Sequence, residues 1–222
     1  MTRLGGCLLP DDLYYEVEND VWVQVLPDGH VAVGLTSVGQ ALAGRLQSVR
    51  PKPTGLVAEI GRSLATFESV RYVGALRSPL TGTIFMSNPK VIEKPDVIND
   101  DPYGEGWIVK LTPSKLDSEI RLLQTRQEAI DVYDRKIAER KVLCFSATPH
   151  YTINALGLLC PGPVTTLSDN VKGVDAGSII HLMADDPATT DDVKNWCSIT
   201  GQALIDFRED GSILHFIVKK IK

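Results

Sequence analysis

The hydrophobic pattern of this chain changes period twice, and those changes decide how many folding units it can hold. Up to about residue 113, apolar residues come in short alternating runs punctuated by Gly, Pro, Asn and Asp. VWVQVLPDGHVAVGLT, residues 21–36, reads as two strands around Asp28-Gly29, a pair suited to the positive φ angles of a hairpin turn. Further strands are expected over 63–70, over 83–86 and around Ile108, the last entered from the turn cluster NDDPYGEG. One short helix fits 36–42. Many short strands with glycine and proline at the turns imply a small barrel or sandwich.

From Ser114 the period becomes helical. Leu116, Ile120, Leu123, Ile130, Tyr133 and Ile137 recur at spacings of three, four and seven, and Ser114 with Asp117 fits a capping box. The charged run DRKIAERK ends this section, and CFSATPHYT after it carries Pro149 and no helical period. Beyond that seam, strand and helix alternate: TINALGLL, then PGPVTTLSDNVK, SIIHLMADD, TTDDVKNWCSITG, and two strands around Asp210-Gly211. The expected organisation is therefore a mainly β unit with flanking helices over 1–141, a linker over 142–150, and an α/β unit over 151–222. The second unit is β-α-β-α-β-β, a two-layer sandwich with both helices on one face of the sheet. No internal repeat or low-complexity segment is visible.

Composition excludes several classes of function. A hydrophobic share of 43% with 23% charged residues suits a folded globular chain rather than a disordered one. With a net charge of -5 and no basic stripe, a nucleic-acid partner is not expected. No apolar run approaches the roughly 18 residues of a membrane span, and Pro10, Asp11 and Asp12 interrupt the apolar start that a signal peptide needs. Cys7, Cys144, Cys160 and Cys197 show neither CxxC nor zinc-finger spacing, so reduced thiols and a soluble, cytoplasmic protein are expected.

The segments PDDLYYEVENDVWV, VAVGLTSVGQALAG, FESVR, SPLTGTIFMSN and NDDPYGEGWIVKL follow one another between residues 10 and 111. In that order they resemble the glycine cleavage H proteins, and the H-like lipoate-binding proteins of sulfur oxidation. The resemblance runs to about residue 140 and implies a flattened lipoyl-type barrel with helices outside it. It also implies a lipoylated lysine at a hairpin tip, where this chain has Arg71 in TFESVRYVGALRSP. A guanidinium stays protonated to about pH 12 and beyond and is a poor acyl acceptor, so lipoate is not expected as a cofactor. The family's histidine before the tryptophan is also absent, its place taken by Val21 beside Trp22. Arg71 either contacts a partner where the arm once stood or is a solvated arginine, and the second reading is the plainer one.

In the second unit, NALGLLCPGPV, ADDPATTDDVKNW and GQALIDFREDGSILHFIVKK resemble TusA-type sulfur carriers, with Cys160, Pro161, Gly162 and Pro163 as their CPxP signature. Physical reasoning agrees with the resemblance. Proline suits a first helical turn, which puts Cys160 at or near the N-cap, where N–H groups of Gly162, Val164 and Thr165 would lower its pKa. An exposed thiolate there can carry a persulfide, and Gly162 would leave the approach open. The alternative for Cys160 is a small buried residue at a strand end. Leu159 and TTLSDN stand where tRNA-thiolating relatives carry basic residues, which points to a different acceptor.

Other candidates read as structural. Cys197 lies mid-helix beside Trp196, and Cys7 and Cys144 have no evident partner unless one of them resolves a persulfide on Cys160. Asp185, Asp186, Asp191 and Asp192 read as helix-start charge and capping rather than a metal site, and no metal is expected. His30, His150, His181 and His215 are scattered, and Gly104-Glu105-Gly106 lacks the context of a dinucleotide loop. The leading expectation is a sulfurtransferase subunit passing persulfide sulfur between donor and acceptor proteins through Cys160, with the H-like unit as a docking domain. A lipoate carrier and a non-catalytic adaptor are the alternatives. No second group that would process a small substrate is visible, so a self-sufficient enzyme is not expected.

Overall fold

In the computed structural model, residues 2–70 and 72–222 are described, and they divide into two compact units, Met1–Cys144 and Phe145–Lys222. Arg71 lies outside the described residues.

The first unit is a β-sandwich. Its larger sheet has seven strands in the spatial order Gln124–Thr125, Tyr14–Glu16, Val21–Val25, Val31–Leu35, Val109–Pro113, Gly82–Ser87 and Val57–Ala58. Leu46–Pro51, Ser63–Ser69 and Val73–Arg77 form a three-stranded antiparallel sheet. Inward residues of both sheets, among them Val23, Val33, Leu64, Leu76, Ile84 and Leu111, make one apolar core. The hairpin at Asp28-Gly29 forms as its alternation requires, with one refinement. Gly29 takes the positive φ (83°), whereas Asp28 accepts the N–H of His30 through its carboxylate at 3.0 Å.

A second core lies on the outer face of the larger sheet, where Trp22, Tyr15 and Leu9 pack against the helix Arg126–Arg140 through Ala129, Tyr133 and Ile137. Trp22 donates its indole N–H to the carbonyl of Pro102 at 2.9 Å. A Cβ at residue 34 would stand 2.7 Å from the Trp22 ring, so glycine is what lets strand and ring approach there.

The continuous helix expected from Ser114 does not form. Leu116–Glu119 is one turn, Ile120–Leu122 is 3-10, and Leu123 is extended. Gln124–Thr125 then joins the sheet beside Tyr14 and Tyr15 before the long helix begins at Arg126. Two cores compete for the same apolar pattern: Leu123 packs inside the sandwich, and Tyr133 and Ile137 pack outside it. Glu119 is buried and accepts the N–H of Thr81 at 2.6 Å, which pins the first turn in place. The capping box is Thr125 with Glu128, not Ser114 with Asp117.

A disulfide also departs from expectation. Cys7, in the strand Cys7–Leu9, is bonded to Cys144 across a separation of 137 residues, with Cα atoms 4.8 Å apart. Both residues are buried, so neither is a free thiol able to resolve a persulfide, and the expectation that all thiols stay reduced is corrected.

The second unit has the order Tyr151–Asn154, helix Gly162–Lys172, Ile179–Ala184, helix Thr189–Thr200, Ala203–Asp210 and Ile213–Lys219. Tyr151–Asn154 pairs in parallel with Ile179–Ala184, which pairs antiparallel with Ile213–Lys219, and Ala203–Asp210 forms the far edge. Strand residues of one parity, Ile180, Leu182, Ala184, Leu214, Phe216 and Val218, share a core with Leu167, Val171, Val193 and Cys197 of the helices. Both helices therefore cover one face, as the alternating pattern requires. Gly201 ends the second helix in the left-handed conformation (φ 73°).

Candidate functional site at Cys160

Cys160 ends the loop between the first strand and first helix of the second unit, and it is a free, exposed cysteine. Pro161 is the helix N-cap, Pro163 is buried in the first turn, and the Cys160–Pro161 peptide is cis. The helix N–H groups do not all serve the sulfur. Gly162 donates to the carbonyl of Leu159 at 2.8 Å and Thr165 to that of Pro161 at 3.0 Å. An added Cβ at Gly162 would press on Leu158 at 3.1 Å, so the loop folds back over this glycine rather than leaving it open.

The aspartates that read as simple capping residues shape this loop. Asp185 accepts the N–H of Gly157 at 2.8 Å, and Asp186 accepts that of Cys160 at 2.9 Å and that of Ala188 at 3.0 Å. Asp192, in the first turn of the helix Thr189–Thr200, accepts a hydrogen bond from the Cys160 thiol. That hydrogen bond is the main reason the Cys160 pKa is raised rather than lowered, with desolvation and the charges of Asp192 and Asp186 adding to it. The expected helix-start activation is thus overridden by Asp192 on the neighbouring helix and, less strongly, by Asp186 in the segment before it. Acidic residues at a helix start were visible in the sequence, but which loop they would face was not.

Cys197 is buried, and burial pushes its thiol up to about 11, as suits an inert core cysteine. Around Gly104-Glu105-Gly106, Asp101 accepts the N–H groups of Gly104 at 3.1 Å and Glu105 at 2.7 Å, which makes this a turn and not a phosphate loop. Among the described residues, no group of three or more His, Cys, Asp or Glu could hold a metal.

Two of the scattered histidines meet. His181 and His215 lie on neighbouring strands of the second unit, on the sheet face away from the helices, with Nε2 of His181 2.9 Å from Nδ1 of His215. The Phe145 ring lies near both, tilted to each, and Nε2 of His215 is buried without a hydrogen-bond partner. Burial lowers the His215 pKa from 6.5, with Asp210 opposing, so the unfolded chain binds this proton more readily than the folded one. The stability this neutral imidazole contributes is complete above the ordinary histidine pKa and is lost as pH falls through the lowered one. The urea midpoint of the second unit is expected to fall between about pH 7 and about pH 5, and His215→Gln to flatten that fall.

A sandwich followed by an α/β unit with an exposed cysteine at a helix start defines a fusion of two small folds. The chain belongs to the glycine cleavage H-protein family, whose model matches residues 13–135, and it also carries a sulfurtransferase TusA domain, matched over residues 151–220. It is 42% identical over 139 residues to glycine cleavage system H protein 2 of Aquifex aeolicus, covering 63% of this chain and 86% of that protein. It is 36% identical over 146 residues to a probable glycine cleavage system H protein 2 of Sulfolobus acidocaldarius, covering 65% of this chain and 97% of that one. The crystal structure of a glycine cleavage system H protein from Mycobacterium marinum is similar, with a TM-score of 0.50 and 29% identity, over 56% of this chain and 98% of that one.

Proposed function

We propose that this protein is a sulfur carrier in which Cys160 takes up sulfane sulfur as a persulfide and passes it to a thiol on another protein. The observation that carries this reading is a free, exposed cysteine at a helix start within the region that matches the TusA sulfurtransferase model. In the loading step the sulfur of Cys160 attacks the outer sulfur of a donor persulfide, R–S–SH. A new S–S bond forms, the donor's S–S bond breaks, and R–S⁻ leaves and takes up a proton. The products are the Cys160 persulfide and R–SH, so no external oxidant is needed.

In this proposal the H-like unit docks donor and acceptor proteins and carries no lipoate, because Arg71 takes the place of the attachment lysine. Nucleic acid is not a partner, in keeping with the net charge of -5. A cytoplasmic location belongs to the same proposal. No helix among the described residues is long and apolar enough to cross a membrane, and the Cys7–Cys144 bond is buried away from thiol exchange.

Intact-mass spectrometry before and after exposure to a persulfide donor tests the reading. A gain of one sulfur atom is expected, absent in Cys160→Ser. Equal loading of the serine variant, or no loading of the parent, would leave a non-catalytic adaptor as the better account.

A further inference from the structure

The contact between Cys160 and Asp192 is unusual for a thiol that has to react, because a carboxylate beside it favours the protonated form. We propose that Asp192 gates Cys160: in the free protein its carboxylate holds the thiol hydrogen, and a partner's cation that pairs with the carboxylate frees the sulfur to react. This rests on the sulfur-carrier reading and adds to it a partner chemistry and a means of regulation.

The geometry supports a gate rather than an incidental contact. Asp192 is half-buried in the first turn of the helix Thr189–Thr200, so its position is set by the helix rather than by a freely moving surface chain. The loop that carries Cys160 is fastened on the same side, through Asp186 to the N–H of Cys160 and Asp185 to that of Gly157. The sulfur therefore stays opposite Asp192 unless the carboxylate finds another partner.

The two segments that form this site supply none. Neither residues 155–167 nor residues 184–193 contain a lysine or arginine, and the adjacent Lys194 sits over the ring of Phe207 at 5.9 Å. The charged groups on these segments are Asp185, Asp186, Asp191 and Asp192, all acidic. Leu159 next to the thiol is 80% exposed, and Leu156 and Leu158 are also exposed. An apolar loop beside uncompensated carboxylates fits a protein whose own thiol or persulfide is flanked by lysine or arginine and an apolar contact. When that cation pairs with Asp192, the thiol proton passes to solvent and the thiolate attacks. The R–S⁻ that leaves is formed beside the same cation and is reprotonated, so the proton balance is neutral.

The test uses the full chain and two kinds of probe. The rate of Cys160 alkylation by iodoacetamide, followed by peptide mass across pH, is expected to shift to lower pH in Asp192→Asn and to rise about five- to tenfold at neutral pH. Asp191→Asn removes the same charge from an exposed neighbour with no contact to the thiol, and it is expected to move the profile much less. Cystamine, a dicationic disulfide, is expected to outpace the dianionic dithiodiglycolate on the parent by about tenfold after correction for their rates with a free thiol. Asp192→Asn should shrink that ratio.

An unchanged profile in Asp192→Asn, an equal shift in Asp191→Asn, or a charge ratio indifferent to residue 192 would overturn the gate. These readouts need no persulfide. If the protein fails to load sulfur while the Asp192→Asn shift appears, the carrier reading falls and the contact stands. Sulfur loading without the shift leaves the carrier reading in place and removes the gate.

Discussion

Replacing both Cys7 and Cys144 with alanine is expected to destabilise the first unit by about 3–5 kcal/mol, seen as a lower urea midpoint in the emission of buried Trp22. The size follows from the separation of 137 residues between the two cysteines. A cross-link that closes so long a loop removes much of the freedom of the unfolded chain, and that freedom returns when the link is broken. Location adds a second reason. Cys7 lies in the strand Cys7–Leu9 and Cys144 follows the helix Arg126–Arg140, so the bond fastens the start of the unit to its end. Both contribute to the outer core with Leu9, Tyr15 and Tyr133, so the helix would lose a covalent anchor and some apolar contact. Alanine is preferred to serine because a buried hydroxyl would add its own desolvation cost. Reductant present throughout the urea titration reaches the bond once the unit unfolds, so it should reproduce the effect in the parent protein and leave the alanine variant unmoved. An unchanged midpoint in the double variant would mean that packing of the helix alone holds this end of the sandwich.

How much of this was legible depended on the range of the interaction. Local patterns were readable: the alternation around Asp28-Gly29, the short helix near 36–42, the glycine after Thr200, and the succession of strands and helices after residue 150. Each rests on forces between residues a few positions apart. The Cys7–Cys144 bond was not readable, because no spacing rule relates cysteines 137 residues apart in the sequence. Nor was the break at Leu123, where the helical spacing continues on paper but successive apolar residues belong to different cores. At Cys160, the cysteine and its prolines stood out in the sequence. Asp192 lies 32 residues away, and a helix-start carboxylate already had a sufficient local explanation. His181 and His215 each fall on the sheet face opposite the core by simple alternation, yet only the register of their strands brings the two rings together.

Arg71→Lys is expected to turn an unmodified protein into one that a lipoate ligase modifies, an all-or-none change read as a mass gain of one lipoyl group. The chemical part of the argument is independent of the fold. An arginine side chain stays protonated to about pH 12 and beyond and offers no nucleophilic nitrogen, whereas a lysine amine reaches its neutral form and can be acylated. The structural part concerns what surrounds the position. Ser63–Ser69 and Val73–Arg77 pair in antiparallel register, and the N–H of Ser69 meets the carbonyl of Tyr72 at 2.8 Å. Phe67 and Tyr72 stack with ring centroids 6.0 Å apart, while Val70 and Val73 are 86% and 75% exposed. Exposed valines above a paired strand base leave an acylating enzyme room to approach, and residue 71 lies between Val70 and Tyr72 in the sequence. If the lysine variant is modified and the parent is not, the barrel has kept the shape of a lipoate carrier and lost its function at one residue. If the variant also stays unmodified, the surface a ligase reads has changed too, and docking is the function left to the first unit. Lipoylation of the parent on a lysine of the first unit would mean that the sandwich carries a cofactor after all, and Cys160 would then have to be understood as its partner rather than its replacement.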